Sequence, residues 1–463
     1  MEAVFAAQNK HRETHGLQRI KVVHNKNYQR HGTKSYVYLL NRFGFEPTKP
    51  GPYRHVNMPP EAGTIPEKVK AVLGGGNHQG RRLRKMLVEG DDTQTGEVTA
   101  EDQQYDSMYL IKVSIGTPPQ NLMLDPDTGS ADTWVLSPAV KQQYHQGHNL
   151  FDPKNSITYE GRPGKSWKIQ YGDGSTASGS VGTDTLVVGG LSVEHQIIEA
   201  ASEVSPQFGE GTGDGLLGLA WSKINAVTDH GTPDPQATPV ENMIEQRDIP
   251  KEAELFTSAF YSGRDKDKDS FFTFGYIDQD LLKELGEEIH WTPIDNSGGF
   301  WSVPSEHVSI NDQKVSLGGN TAIVDTGTSL ALMSDEVVDA LYAQIPGATY
   351  DYSNQGYVVP SNLSLEELPE FKINIGGKDF LIQKEDLIFA PIQGGTWYGG
   401  VQSRGNLPFD ILGDVVLKSL YAIWDQGNKR FGAVPKIEKA QILELPDVSA
   451  ASERITSIEL LAL

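Results

Sequence analysis

The sequence predicts a mostly β protein built from two similar β-rich lobes. Asp-Thr-Gly occurs at residues 127–129 and again at 325–327, each time after a short apolar, strand-like run. An apolar-apolar-Gly segment follows each copy at nearly the same distance, at residues 216–218 and 411–413. Such an ordered repeat indicates two structural copies in one chain. The 48 glycines and 26 prolines in 463 residues are typical of many short strands joined by tight turns.

The two aspartates suggest a chemistry. Alone, one Asp-Thr-Gly indicates only a turn, but two facing lobes would bring Asp127 and Asp325 to a common junction. Two neighbouring carboxyl groups cannot both ionise easily, so they share one proton. The charged group can then take a proton from water while the protonated group donates to the oxygen under attack. The pair therefore predicts acid–base hydrolysis without a covalent intermediate.

These motifs resemble those of the pepsin-like aspartic endopeptidases, most of all the fungal penicillopepsin and aspergillopepsin types. The likeness covers roughly residues 98 to 437. It includes the segment 114–120 before the first aspartate, the hairpin 167–175, and the crossing between lobes at 275–294. The resemblance implies a bilobal pepsin-like fold with the active-site cleft between the lobes. It also implies an aspartic-type endopeptidase active at acidic pH, with no metal and no cofactor.

The resemblance further implies roles for individual residues. Asp127 and Asp325 would be the catalytic pair. The residues that support and orient them would be Thr128, Gly129, Ser130, Thr326, Gly327 and Thr328. The hairpin would be a flap that closes over an extended protein or peptide substrate. The flap and substrate-binding residues would be Tyr171, Gly172, Asp173 and Trp134.

Charge is distributed unevenly along the chain. The formal net charge is −21, yet residues 1–90 carry 16 lysines and arginines against 6 acidic residues. We expect a basic prosegment that acts as an intramolecular inhibitor on an acidic body, although an unrelated basic tail would have the same composition. In zymogens of this family a basic side chain blocks the carboxyl pair, and both Lys34 and Arg42 are candidates. The acidic body argues against nucleic-acid binding, and no apolar run is long enough to span a membrane.

We divide the chain into residues 1–97 (basic prosegment and linker), 98–284 (N-terminal lobe with flap), 285–437 (C-terminal lobe) and 438–463 (C-terminal extension). The basic run at 81–85 is either a processing site or a solvated charged run. Residues 1–7 are too polar and too few for a signal-peptide core, so no signal peptide is visible. The resemblance nevertheless implies a secreted or vacuolar protein, and we expect a monomer.

Other features of the sequence keep alternatives open. Pro126 precedes the first aspartate where relatives carry an aromatic residue, and proline is unwelcome in a central strand. A catalytically weak or inactive peptide-binding protein is therefore an alternative. A glycosidase would also use two carboxyls, but the tandem Asp-Thr-Gly repeat and the flap argue against it. Residues 213–218 fit the G-x-G-x-x-G nucleotide motif, but their strand-rich surroundings favour a bracing role for this segment. The absence of cysteine excludes disulfides and thiolate chemistry.

Overall fold

The computed structural model of the protein describes residues 2–24, 30–57, 81–86, 95–97, 109–170, 176–209, 211, 213–262, 268–392 and 395–438. Strands predominate among them, so the predicted mostly β fold class is confirmed. None of the described helices is both long and apolar enough to cross a bilayer. The predicted C-terminal extension lies almost wholly outside the described residues. The domain boundaries proposed above stay a prediction.

The N-terminal segment, residues 2–57, combines helices with strands. Its elements and the two strands that follow are α1 (Glu2–His15), β1 (Ile20–His24), α2 (Gly32–Phe43), β2 (Tyr53–Asn57), β3 (Arg81–Met86) and β4 (Thr95–Glu97). The side chain of His31 caps the start of α2 by accepting from the Lys34 N–H, and Gly44 ends it in the left-handed conformation with φ 63°. The basic run at 81–85 lies in β3, the central strand of a small sheet ordered β2-β3-β4.

The first lobe consists mainly of antiparallel strands. Its elements are β5 (Tyr109–Ile115), β6 (Gln120–Asp127), β7 (Thr133–Leu136), β8 (Glu160–Gln170), β9 (Thr176–Val188), β10 (Leu191–Val204), α3 (Pro206–Gly209), β11 (Gly215–Gly218), β12 (Val227–Asp229), β13 (Thr232–Pro233), α4 (Pro239–Glu245), β14 (Leu255–Ala259), β15 (Phe271–Phe274) and α5 (Gln279–Leu285). Burial alternates with exposure along much of β5, as expected for a strand with one face in the core.

The second lobe repeats this organisation with shorter strands. Its elements are β16 (His290–Pro293), β17 (Ser302–Pro304), β18 (His307–Ile310), β19 (Gln313–Ser316), β20 (Thr321–Val324), β21 (Ala331–Met333), α6 (Asp335–Tyr342), β22 (Thr349–Asp351), β23 (Gly356–Pro360), β24 (Phe371–Ile375), β25 (Lys378–Leu381), β26 (Ile388–Ile392), β27 (Thr396–Gly399), β28 (Val401–Ser403), β29 (Asp410–Leu412), α7 (Asp414–Leu417), β30 (Leu420–Asp425) and β31 (Arg430–Pro435).

One sheet joins the lobes and takes in a strand of the N-terminal segment. Its order in this region is β5-β1-β15-β14-β30-β31-β16. Strand β1 pairs antiparallel with β5, with Val22 opposite Ile111, and with β15, with Ile20 opposite Phe272. Because both edges of β1 are used, the N-terminal segment forms part of the sheet that supports both lobes.

The two lobes share a local topology at the repeated motifs. In the first lobe β11 runs parallel to β6 and antiparallel to β7. In the second lobe β29 runs parallel to β20 and antiparallel to β21. In both cases the apolar-apolar-Gly segment thus lies beside the strand that leads to Asp-Thr-Gly. This equivalence confirms the internal repeat predicted from the sequence.

Candidate active site

The loops that carry Asp127 and Asp325 are positioned by these bracing strands. Asp127 ends β6, and its backbone carbonyl accepts a hydrogen bond from the Leu219 N–H at 2.8 Å, just beyond β11. Asp325 follows β20, and its N–H donates to the carbonyl of Leu412 in β29 at 3.0 Å. Each aspartate is therefore held by the backbone of its own lobe.

Two threonines lock the loops to each other across the lobe boundary. The Thr128 hydroxyl donates to the carbonyl of Val324 at 3.1 Å and accepts from the Thr326 N–H at 3.0 Å. The Thr326 hydroxyl donates to the carbonyl of Pro126 at 2.6 Å and accepts from the Thr128 N–H at 3.0 Å. These four bonds are related by the symmetry of the repeat. They fix the separation of the two aspartates.

Each carboxyl group accepts hydrogen bonds within its own loop. Asp127 accepts from the Gly129 N–H at 2.8 Å and from the Ser130 hydroxyl at 2.7 Å. Asp325 accepts from the Gly327 N–H at 3.0 Å and from the Thr328 hydroxyl. All six supporting residues predicted in the two loops are thus brought together at this point, either on the carboxyl groups or between the loops.

The carboxyl groups face one another across a gap that only glycine allows. A Cβ atom on Gly129 would lie within 3.0 Å of the Asp325 carboxyl, and one on Gly327 within 3.0 Å of the Asp127 carboxyl. Each carboxyl therefore lies over the glycine of the opposite loop. Any larger residue at either glycine would push the pair apart.

The pKa values of the two carboxyl groups are shifted in opposite directions. Burial alone would raise the pKa of Asp127, but the charge of Arg42 and hydrogen bonds from Ser130, Arg42 and Gly129 lower it below its usual value. Burial raises the pKa of Asp325 to about 6, and the charge and hydrogen bond of Asp127 reinforce this against the opposing charge of Arg42. The pair therefore holds one proton between its members in weakly acidic solution.

Arg42, in the last turn of α2, lies on this pair. Its Nη2 donates to both carboxylate oxygens of Asp127, at 2.8 and 2.9 Å, and lies 3.4 Å from Oδ2 of Asp325. Its Nη1 donates to the carbonyl of Gly327 at 2.8 Å. The Arg42 side chain is only 7% exposed. Lys34, the other candidate, lies in the first turn of α2, about two turns away.

Comparison with known proteins agrees with this geometry. The eukaryotic aspartyl protease family matches residues 108–436. Aspergillopepsin-1 of Aspergillus pseudoglaucus is 40% identical over 339 residues, which are 73% of this chain and 81% of the relative. Aspartic protease pepA of Arthroderma gypseum is 37% identical, covering 81% of this chain and 92% of its own length. Penicillopepsin-3 of Penicillium janthinellum is 34% identical, with coverage of 74% and 82%.

The chain belongs to the eukaryotic aspartyl protease family. It is therefore an aspartic-type endopeptidase with the bilobal fold of that family, as the repeated motifs predicted. The family match leaves no support for the glycosidase alternative. Within the described part of the chain, no group of three histidine, aspartate or glutamate side chains is arranged to hold a metal ion.

Pro126 fits the protease strand without loss of a ladder bond. Alternate residues of a strand direct their peptide groups to opposite sides. The Asp127 carbonyl bonds toward β11, whereas the Pro126 carbonyl accepts from Thr326 in the second lobe. The nitrogen of Pro126 therefore faces away from β11, where no strand hydrogen bond is required. The displacement of Asp127 that motivated the inactive alternative is not observed.

The flap of the protease is described only in part. Strands β8 and β9 form the predicted hairpin, with Gln170 paired to Thr176. Tyr171, Gly172 and Asp173 lie outside the described residues. Trp134 is buried, stacks on Trp167 with ring centroids 5.9 Å apart, and meets the edge of Phe208 at 5.5 Å. This tryptophan therefore anchors the base of the hairpin.

The G-x-G-x-x-G segment is structural, as expected. It forms β11 between β6 and β7, and a Cβ atom on Gly215 would overlap the Trp134 carbonyl. Asp214 is buried and accepts from the backbone of Met123 and Asn149, each at 2.8 Å. The Asp214 carboxyl thus ties this segment to neighbouring backbone within the first lobe.

A cavity of about 460 Å³ is lined by residues of both lobes, including two residues of β20. Thr321 and Ile323 line it, and they point to the same side of the chain as Asp325 because side chains alternate along a strand. Ile224 of the first lobe and Phe300 of the second complete its apolar part. The cavity therefore lies between the lobes, on the side of the sheet that carries the carboxyl pair.

One residue at the site was not predicted. Tyr38 lies one turn before Arg42 on α2, and its hydroxyl accepts from Nη1 of Arg42 at 3.5 Å. Burial raises the pKa of Tyr38 beyond its usual range, which keeps the phenol neutral. The spacing of four residues between Tyr38 and Arg42 on one helix face is the signal that could have identified it.

Proposed function

We propose that Asp127 and Asp325 are the catalytic residues of this endopeptidase and that the chain is its inactive precursor. The observation that carries the proposal is the buried carboxyl pair, with loop hydrogen bonds to each member and Arg42 placed on it. The geometry supports a general acid–base mechanism, because the two carboxyl groups lie side by side and their pKa values are shifted in opposite directions.

In the active enzyme a water molecule would take the place that Arg42 now holds. The ionised carboxyl removes a proton from this water as its oxygen attacks the carbonyl carbon of the peptide. The protonated carboxyl donates its proton to the carbonyl oxygen, which gives a tetrahedral diol. One carboxyl then donates a proton to the nitrogen while the other accepts one from the diol. The C–N bond breaks, leaving a carboxylic acid and an amine.

The substrate is an extended peptide bound between the lobes. The cavity at β20 would accept an apolar side chain against Ile224, Ile323 and Phe300, while Lys223 and Asp295 line its polar part. The hairpin of β8 and β9 would close over the peptide as the flap, and Tyr171, Gly172 and Asp173 would contact the substrate. Closure of a loop excludes water from the developing charges. Trp134 would support this movement by stacking on Trp167 in β8, at the base of the hairpin.

Inhibition by the N-terminal segment is supported by its contacts. Arg42 occupies the position required by the attacking water, and burial of its side chain excludes solvent. The segment is held by β1 in the sheet and by the bidentate Arg19–Asp278 ion pair at 2.6 and 2.9 Å. Acid would protonate the carboxyl partners and free the segment.

We propose that the enzyme is a monomer in both forms.

The proposed catalytic role is tested with the purified full-length chain. After incubation in acid we expect a shorter product, cut near residues 81–100. This product should hydrolyse denatured protein at roughly pH 3–5, where a carboxyl pair holds one proton, and pepstatin should inhibit it. Asp127→Asn and Asp325→Asn should each abolish hydrolysis, whereas Asp312→Asn, an exposed control, should not. Hydrolysis that survives Asp325→Asn would exclude the proposed pair.

We propose that the protein enters the secretory pathway and is either secreted or delivered to the vacuole. The similarity to aspergillopepsin-type proteins supports this location. The sequon at Asn362 also supports it, because that side chain is exposed and accessible to a glycosyltransferase. Expression through a secretory pathway, followed by treatment with an endoglycosidase, should increase gel mobility, and Asn362→Gln should remove the shift. An unglycosylated chain that stays in the cytoplasm would contradict the proposal.

A further inference from the structure

Two more carboxyl groups are buried together just beyond the Asp127 loop. Asp132 is 5% exposed and Glu199 is 0% exposed. The side-chain amide of Asn225 donates to Oδ1 of Asp132 and to Oε1 of Glu199, both at 2.9 Å. The backbone N–H of Ala226 donates to Asp132 at 2.6 Å. These partners are uncharged amides.

Among the residues that the structure describes, no cation pairs with either of these carboxyl groups, since no lysine, arginine or histidine there makes an ion pair with Asp132 or Glu199. Oε2 of Glu199 has no hydrogen-bond partner among the described residues, whereas Oε1 of Glu199 and Oδ1 of Asp132 both accept from the same Asn225 nitrogen. Two buried carboxyl groups that accept from one amide nitrogen repel each other unless one of them is protonated. The arrangement therefore needs a proton.

The pair lies where it can control the position of Asp127. Asp132 follows Ser130, which donates to Asp127, by two residues in the same loop. Glu199 belongs to β10 and is paired in register with Trp134 of β7. Asn225 follows a short helical turn at Ser222–Ile224. The shared hydrogen bonds thus connect the catalytic loop to two separate elements of the first lobe.

We propose that Asp132 and Glu199 are positioning residues that share one proton and hold the Asp127 loop in its working geometry only in acidic solution. The proposal rests on the catalytic role of Asp127 proposed above. Loss of the shared proton would leave two negative charges on either side of the Asn225 amide inside the lobe, and like charges without compensation repel strongly there. The loop would then be released from β10.

The direction of the pH effect follows from the burial. Burial raises the pKa of Asp132 to about 6, and burial with the neighbouring Asp132 charge raises the pKa of Glu199 well above its usual value. The other charged group acting on Asp132 is Asp127, which is also negative. An unfolded chain releases these protons near pH 4. The folded lobe therefore binds more protons above that pH, and its stability falls as the pH rises toward and beyond 6.

Glu199→Gln tests the proposal because glutamine can donate to an ionised Asp132 without a shared proton. The matched control is Glu203→Gln, an exposed position on the same strand. We would measure thermal unfolding of full-length chains at pH 5 to 8 in an Asp325→Asn background, which prevents self-cleavage. Parent and Glu203→Gln should lose stability with rising pH. Glu199→Gln should unfold about 5 °C higher than the parent at pH 7.5. Parallel curves for all three would overturn the proposal.

A second measurement separates positioning from simple stability. With both catalytic aspartates present, activated Glu199→Gln should retain more of its kcat/KM as the pH rises above 6 than activated wild type or Glu203→Gln. A stability difference without any change in this pH profile would overturn the positioning role.

If Glu199→Gln does not fold, infrared spectroscopy of the parent should still show a buried protonated carboxyl at pH 6 that Asp132→Asn removes. Absence of that band would overturn the shared proton. Because unfolding and infrared spectra do not require hydrolysis, they also distinguish failure here from failure of the proposed function.

Discussion

Arg42 donates from one nitrogen to both carboxylate oxygens of Asp127, at 2.8 and 2.9 Å, in an enclosure that solvent hardly reaches. Arginine stays charged at every pH that a protein experiences. A change in pH can therefore weaken this contact only by protonating Asp127. The contribution of this ion pair is fully present above the pKa of a free aspartate and is lost as the pH falls through the lowered pKa of Asp127. Loss of this stabilising contribution at low pH agrees with a precursor whose N-terminal segment is released in acid.

Removal of Arg42 should loosen the precursor. We expect Arg42→Ala to mature at pH 5 at least about tenfold faster than wild type, because the buried ion pair no longer opposes release. Arg42→Lys should mature at an intermediate rate, since a lysine ammonium cannot reproduce the planar set of hydrogen bonds that the guanidinium donates. Lys34→Ala is the matched control on the same helix and should mature like wild type. The measurement is the rate of appearance of the shortened chain on a gel. Wild-type kinetics for Arg42→Ala would contradict the proposed block.

The Arg19–Asp278 ion pair should act as a second acid-sensitive contact. Burial alone would raise the pKa of Asp278, but hydrogen bonds from Arg19 and Leu281 hold it below its usual range. The contact therefore weakens as the pH falls through that lowered pKa. We expect Arg19→Gln to mature about threefold faster at pH 5.

Lys21→Gln is the control for that experiment. Lys21 lies two residues further along and pairs with Asp269, but both side chains are well exposed, at 65% and 64%. Such a pair contributes little, so maturation should be unchanged. Equal acceleration by both substitutions would indicate a general charge effect instead of a specific contact.

The threonine lock should govern both stability and activity. Thr128→Val keeps the shape but leaves the Thr326 N–H and the Val324 carbonyl without their partner. We expect a loss of about 2 kcal/mol in the free energy of unfolding. The two aspartates would also shift relative to each other, so kcat should fall at least about tenfold.

Thr128→Ser is the matched control, because it retains the hydroxyl and should restore most of both losses. Chemical denaturation and steady-state hydrolysis of a peptide are the two measurements. A fully active and stable Thr128→Val enzyme would show that the lobes are held in place by other contacts.

Pro126 should prove nearly neutral for catalysis. Pro126→Ala restores an N–H at a position that faces away from β11, so no strand hydrogen bond is gained. We expect kcat/KM to stay within about threefold of wild type, a difference of less than about 1 kcal/mol in transition-state stabilisation. A large increase in activity would revive the idea that proline impairs this enzyme.

The repeated motifs determined much of this protein before any coordinates. Two copies of Asp-Thr-Gly, each with its apolar-apolar-Gly partner, predicted the mostly β class, the duplication and the meeting of Asp127 with Asp325. Both the motifs and their nearly equal spacing can be read directly from the order of residues in the chain, without knowledge of any long-range contact. The basic composition of residues 1–90 likewise predicted a segment complementary to an acidic body.

Only the tertiary structure decided which basic side chain reaches the carboxyl pair. Lys34 and Arg42 share one short helix and one charge, and the choice depends on how that helix packs and where it ends. Whether Pro126 costs a strand hydrogen bond depends on the direction in which its nitrogen faces relative to β11. The association of Asp132 with Glu199 joins residues far apart in sequence. No local pattern specifies such contacts, because they arise when distant strands close into one sheet.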